Sequence, residues 1–305
     1  MSRKAAEALA WPAIVVIHAA PIVWALAYSP TLVPQVASAA TLALMVGLVA
    51  VERLLPYRVD WSVSGDPDVW RDVAHTAAYA VAINASRVLF LILLAGAMAQ
   101  VGLHGVVGLW PTSAPVWLQV CLAVVLGDGL EYAYHRLCHQ NAMMWCLHAL
   151  HHTPTRIHVL KGGRHHFLYA FGRGFVVWTP LLLVGAPGEV VFWQYIAEVI
   201  TGLVGHANIR CRLPSWVHRV VTTPQVHRIH HELDHGPGNT NFAVVLPFWD
   251  MLFSTYSHPD VVPVSAAGIV NDPIPHRFVE ELKSPFTYGK LERLRDAVQA
   301  GKREL

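Results

Sequence analysis

Residues His148 to His152 read HALHH and residues His227 to His231 read HRIHH, so the chain carries the pattern His-x-x-His-His twice. A third group, HRLCH, holds His135 and His139 four residues apart. Spacings of three and four put side chains on one side of a helix, so each group is expected to aim its imidazoles at a common point. Histidine numbers 19 among 305 residues, nearly as many as the 22 Lys and Arg. At that frequency roughly 0.07 matches to the pattern arise by chance, and two have odds near ~0.003.

A neutral imidazole gives one ring nitrogen to a metal while an acceptor holds the other. Eight such rings packed for structure alone would strip water from too many ring nitrogens unless something bound them. Four rings make one closed site, whereas eight spread over several helices suit two ions. Imidazole accepts zinc, copper, iron or nickel. The paired Glu-x-x-His motifs of a carboxylate-bridged di-iron bundle are not found, and the donor set itself fits iron and zinc alike. Lone histidines in apolar stretches, His18 and His75, are expected to find structural partners instead.

The elements that must position these rings are membrane spans. The chain is 54% hydrophobic and only 14% charged, with mean hydropathy +0.40. Soluble domains carry about 25% charged residues. Four stretches approach the ~20 apolar residues of a span: Trp11 to Ser29, Val36 to Leu55, Val73 to Val101 and Val116 to Tyr134. The first is not expected to be a cleaved signal peptide, since no small-residue cleavage site follows it and more spans do. Arg3, Lys4, Arg53, Arg58, Arg71, Arg136, Arg156, Lys161 and Arg164 fall at the N-terminus, in the second connection and after the fourth span. The first and third connections, near Pro30 to Pro34 and Gly102 to Pro115, hold no Lys or Arg. Positive loops stay in the cytoplasm, so both termini and the histidine groups are expected there.

A further apolar segment, Gly174 to Ile209, is broken by GAPGE at Gly185 to Glu189 and flanked by Arg173, Arg210 and Arg212. It reads as a hairpin that enters the membrane and returns. The expected fold is therefore all-α: about four transmembrane helices, a membrane hairpin and a cytoplasmic helical cap carrying a dimetal site. Residues 1–257 form one membrane-embedded domain with its motif-bearing core at 116–257. Residues 258–305 form a polar cytosolic tail ending in the amphipathic KLERLRDAVQAGKREL. Cys121, Cys138, Cys146 and Cys211 lack CxxC spacing and read as buried thiols. A net charge of +2 without a basic run points away from nucleic acid.

From Asp128 to Tyr256 the motifs DGLEYAYHRLCH, LHALHH, GRHHF, GHANIR, HRIHH and NTNFAVVLPFWDMLFSTY resemble the fatty acid hydroxylase and sterol desaturase superfamily of integral-membrane, non-haem di-iron oxygenases. The resemblance implies metal ligation by His135, His139, His148, His151, His152, His227, His230 and His231. It adds His206 of HAN and His166, with His165 as the alternative to His166, while His158 stands where the family often has asparagine. The chain departs from the family at NFA, Asn241 to Ala243, in place of Asn-Tyr-Gly. It departs again at FST, Phe253 to Thr255, in place of Phe-Gly-Thr, and at HFLY, without the usual proline and glutamate. None of these removes a core ligand.

Around the ligands, Asp128 lies two turns before His135 and is expected to hydrogen-bond a ligating ring from outside. Asn241 and Asp250 would brace the last group. Arg87 and Asn84 are open to a lipid head group or to helix pairing.

The resemblance implies O₂-dependent hydroxylation of an unactivated C–H bond in a fatty acyl chain, sterol or other isoprenoid. Two iron ions would serve, with zinc possible in purified protein. Desaturation of the same substrates is the first alternative, and a membrane zinc hydrolase or metal carrier the second. Electrons are expected from a separate ferredoxin or cytochrome b5-like carrier.

Overall fold

The structure, a computed structural model, describes residues 2–100, 108–233, 239–262 and 264–303. Residue 101 at the end of the expected third span, residues 102–107 of the third connection and the last two residues of the tail lie outside it. All regular elements among the described residues are helical. In chain order they are α1 Arg3–Tyr28, α2 Val33–Leu54, α3 Val69–Gln100, α4 Val116–Gln140, α5 Ala142–His152, α6 Phe167–Leu183, α7 Gly188–His206, α8 Val217–Val220, α9 Pro224–His230, α10 Phe248–Leu252 and α11 Phe278–Arg303.

Four of these are long and apolar enough to cross a membrane, over Arg3–Trp24, Gln35–Leu54, Val69–Leu93 and Val116–Gln140. They carry exposed Val16, Ile17, Val46, Val81, Ile92 and Trp117, a surface suited to hydrocarbon and costly in water. The first helix begins eight residues before the expected span, because Lys4 to Leu9 is rich in strong helix formers. The fourth runs six residues past the expected end and takes His135 and His139 with it. These two rings are therefore fixed to a span.

The hairpin forms as α6 and α7, and its turn follows from GAPG. Gly185 has φ 94°, a conformation that glycine adopts without steric cost. The Ala186 amide donates to Leu181 O (3.0 Å) and the Gly185 amide to Leu182 O (3.1 Å). This double closure ends a helix at a left-handed residue, and Pro187 then opens α7.

The core lies where α6 meets α3 and α4, around Ile83, Ala123, Ala170, Val177, Trp178 and Leu181. Gly174 lets α6 approach α3, since a Cβ there would meet Ser86 and Ile83. Small residues at such crossings let helix backbones close up. Truncating the fully buried Ile83 to alanine should cost about 2–5 kcal/mol.

Two caps set the histidine-bearing helices. Asn141 breaks α4 from α5 and accepts the amides of Met143 (3.0 Å) and Met144 (3.1 Å), so α5 folds back toward the end of α4. Thr223 caps α9 through Val226 N (3.3 Å), with Pro224 at the first helical position. The segment from His258 onward also packs on this unit: Ile274 and Tyr288 share a cluster with Ala149 of α5. Glu281 of α11 is buried against Arg164, Arg71 and His75.

Candidate metal centre

The histidines gather into two adjacent groups. His135, His139, His148, His152 and His230 form one, and His151, His206, His227 and His231 the other; within each, one nitrogen per ring lies within 4.8 Å of every other. Each His-x-x-His-His motif divides its rings between the groups. On α5, His148 and His152 turn to the first group and His151 to the second. On α9, His230 turns to the first and His227 to the second, joined there by His231 just past the helix end. The sequence expectation of one common point per motif misses this. Rings four apart share a face, whereas a neighbour at three is turned by about 100° from the one at four, enough to serve a second centre.

Backbone carbonyls orient the rings. Nδ1 of His135 donates to Phe242 O (2.7 Å), His151 to Arg164 O (3.3 Å), His206 to Gly202 O (2.7 Å) and His230 to Thr240 O (2.8 Å). A carbonyl only accepts, so each of these rings carries its proton on Nδ1 and a bare lone pair on Nε2. Nε2 of His206 nonetheless lies 3.2 Å from Nε2 of His151. Two lone pairs repel at that distance, and a cation between them removes the conflict. The buried Nε2 atoms of His139 and His230 have no hydrogen-bond partner. Burial, then repulsion from neighbouring rings, holds His148, His151, His152, His227 and His231 well below the usual histidine range; burial and His135 do the same for His230. Neutral imidazoles with inward lone pairs suit a transition metal, so the donor set fits two ions.

Nine of the ten expected ligands are in these groups, and His166 is set apart. Its Nδ1 accepts the Leu168 amide (3.2 Å), capping α6, so its Nε2 must donate to Leu282 O (3.0 Å). No lone pair remains for a metal. The alternative, His165, stacks on His151 with ring centroids 3.8 Å apart, and its buried Nδ1 has no partner. His158 stands outside as well, bonded to Asp66 (2.7 Å). Asp66, Asp72 and His158 have ligand-like spacing, but Lys161 Nζ lies 2.6 Å from Asp66 and 2.7 Å from Asp72 and supplies the cation there.

Among the described residues, Asp128, Asn241 and Asp250 share no hydrogen bond with an imidazole and instead hold one loop segment. Asp128 accepts the amides of Val244 (3.1 Å), Val245 (2.8 Å) and Leu246 (2.8 Å). Asp250 accepts those of Phe242 and Ala243, both at 2.8 Å. Asn241, at φ 56°, donates to Val226 O (3.1 Å) and Ser257 O (3.0 Å). That loop presents the Thr240 and Phe242 carbonyls to His230 and His135. The direct bond expected from Asp128 to a ring is thus replaced by support one step further out. Arg87 sits over the Trp178 ring (5.7 Å), and Asn84 bonds its own helix at Ala80 O (2.8 Å).

Two cavities adjoin the rings and share no lining residue. The first, about 210 Å³, lies among α2, α3, α4, α6 and α7 and is lined by His135, His148, His151, His206 and His227 together with Met45, Leu160, Val199 and Leu203. The second, about 480 Å³, is lined by His139, His152, His230, Trp145 and Tyr288.

The first cavity also holds charges that the sequence reading passed over. Arg173 Nε lies 2.7 Å from Glu131 and its Nη2 2.7 Å from Glu198, all three buried. Its Nη1 donates to Tyr79 Oη (2.9 Å), and Gln194 donates to Glu198 (2.6 Å). Arg173 flanks the hairpin in sequence, yet its guanidinium turns inward to two carboxylates. The available signal was Glu131, one turn before His135, and Glu198 within an apolar helix, because carboxylates at membrane depth are rare and face interiors.

The sequence pattern of the fatty acid hydroxylase family matches residues 120–255. "Ornithine lipid hydroxylase OlsE" of Rhizobium tropici is 32% identical over 238 residues, 77% of this chain and 71% of its own. Human "Alkylglycerol monooxygenase" is 25% identical over 222 residues, 67% of this chain and 45% of its own. A "Very-long-chain aldehyde decarbonylase" of Oryza sativa subsp. indica is 24% identical over 139 residues, 42% of this chain and 22% of its own. The chain thus spans less than half the length of the latter two relatives. No solved structure matches it.

Proposed function

The chain belongs to the fatty acid hydroxylase family and is an oxidoreductase of monooxygenase type; from that premise we propose that it hydroxylates a C–H bond of a polar membrane lipid at two iron ions. The observation that carries the metal assignment is the His151–His206 pair, whose facing lone pairs call for a cation. His135, His139, His148, His152 and His230 would hold one ion, and His151, His206, His227 and His231 the other, with His165 beside the second. Reduced iron supplies the activation of O₂ that an unactivated C–H bond requires. The overall balance is R–H + O₂ + 2 electrons + 2 protons to R–OH + H₂O, and we assign the electrons to a separate ferredoxin or cytochrome b5-like carrier.

The protein's own contribution is placement. Carbonyls of Gly202, Arg164, Thr240 and Phe242 lock four rings, so the site needs little rearrangement on loading. Met45, Leu160, Val199 and Leu203 give the lipid an apolar wall and keep water from the reacting carbon. At about 210 Å³ the first cavity is smaller than the ~300–1,000 Å³ that encloses a drug-sized ligand. It therefore suits one end of a lipid whose remainder stays in the bilayer. The printed names of the first two relatives, an ornithine lipid hydroxylase and an alkylglycerol monooxygenase, support a polar lipid as substrate. The Lys and Arg distribution supports a cytoplasmic placement of both termini and the site.

The test is metal content and O₂ uptake of the purified protein with a chemical reductant and a membrane lipid extract, against His148→Ala and His231→Ala. Two irons per chain and lipid-stimulated uptake, lost in both variants, are expected. Zinc with no uptake even after reconstitution with iron would overturn the oxygenase reading.

A further inference from the structure

The first cavity has an end that hydrocarbon would not satisfy. Glu131 and Glu198 face Arg173 there, and Arg173 is the one cation among the described residues that line the cavity. Two carboxylates against one guanidinium leave acidic groups in excess of basic ones at this end.

Hydrogen bonding is unbalanced in the same direction. A carboxylate only accepts, and each oxygen takes more than one donor. Glu198 receives Arg173 and Gln194. Glu131 has Arg173 on one oxygen and a long 3.4 Å contact from Tyr169 Oη on the other. The adjoining Gln194 Oε1 is buried with no partner. At this end buried acceptor atoms outnumber the donors that reach them.

We propose that it is a binding subsite for the primary ammonium group of an amino lipid, with Glu131 and Glu198 as acceptors and Arg173 as the fixed counter-charge that holds them apart. This rests on the lipid-hydroxylase reading and narrows its substrate class. An ammonium brings three donors and one positive charge, matching both deficits. A bare alkyl chain would leave the carboxylates desolvated without return. An anionic head group would set further acceptors against the two carboxylates, and a hydroxyl brings one donor where an ammonium brings three. Metal ions in the histidine groups strengthen the preference for direction, because they repel the ammonium toward Glu131 and Glu198. The carbons next to the nitrogen then lie between the carboxylates and the rings of His135, His148 and His206, all of which line the same cavity.

The experiment is binding without turnover, on the full-length metal-loaded protein in phosphatidylcholine nanodiscs under nitrogen. Decylamine, decanol and decyltrimethylammonium are added separately, and affinity is read from the rise in melting midpoint with ligand concentration. Decylamine should bind at least tenfold more tightly than either of the others. Glu198→Gln and Glu131→Gln should each bring decylamine close to decanol. Leu203→Trp, which fills the apolar part of the cavity, should abolish all binding. The ligand series on the unsubstituted protein stands by itself if a glutamine variant does not fold.

Equal binding of the three ligands overturns the ammonium subsite while leaving a lipid site in place. An amine preference that survives Leu203→Trp overturns it too, by placing binding elsewhere. If none of the three binds, the cavity takes no lipid and the substrate route proposed above falls with the subsite. Loss of lipid-stimulated O₂ uptake, measured separately, reports on the oxygenase reading alone.

Discussion

Nε2 of His151 and Nε2 of His206 face each other at 3.2 Å while each ring's Nδ1 is bonded to a backbone carbonyl. Stripping the metal should therefore destabilise the fold. Each site held at a hundred times its Kd contributes about 2.7 kcal/mol, seen as a lower melting midpoint after treatment with a chelator. His206→Ala should reduce metal content from two ions per chain toward one. A midpoint indifferent to chelation would count against the centre.

Asp250 is expected to matter through the loop it holds. Asp250→Asn replaces an acceptor of two amides with a group that can accept only on one side, at a cost of about 2–3 kcal/mol. Because Phe242 O orients His135, the first histidine group should lose its ion before the second. Metal analysis after partial chelation of the variant would reveal that order, and equal loss from both groups would contradict it.

Arg173 separates two buried carboxylates. Arg173→Met leaves both unpaired and should destabilise by about 3–5 kcal/mol. The triple variant Glu131→Gln, Arg173→Met, Glu198→Gln removes the charges together and should recover most of that loss. Denaturant midpoints of the single and triple variants decide the point; a harmless Arg173→Met would show that the ion pairs do not hold α4, α6 and α7 together.

Acid should release α11. Burial raises the Glu281 pKa, but the hydrogen bond with His75 and the charges of Arg164 and Arg71 outweigh it, so the folded value lies below the usual 4.5. A carboxylate depressed in the fold adds stability that is complete above its unfolded pKa and is lost as pH falls through the folded one. Protection of residues 278–293 in hydrogen exchange should hold at neutral pH and fall away below about pH 4.5. Glu281→Gln should show the loss already at pH 7.

The spans and most of the ring set were legible because each rests on a local period: long apolar runs for the helices, and intervals of three and four for the histidines. His166 was misplaced because two adjacent histidines, His165 and His166, differ only in which way a helix start turns them. That depends on the Leu168 amide and Leu282 carbonyl, the second of which comes from 116 residues away. Glu131, Arg173 and Glu198 lie on three helices, and no spacing within one segment announces their meeting. Asp128 stands out as a carboxylate within an apolar helix, yet its partners are amides 116 to 118 residues on and not a ring on its own helix, which helical geometry alone cannot supply.

The first histidine group borders both cavities, with His135 and His148 facing one and His139, His152 and His230 the other. The same five rings thus face two separate cavities. With a lipid in the first cavity, as proposed, the second would leave this ring group a separate approach for water and protons.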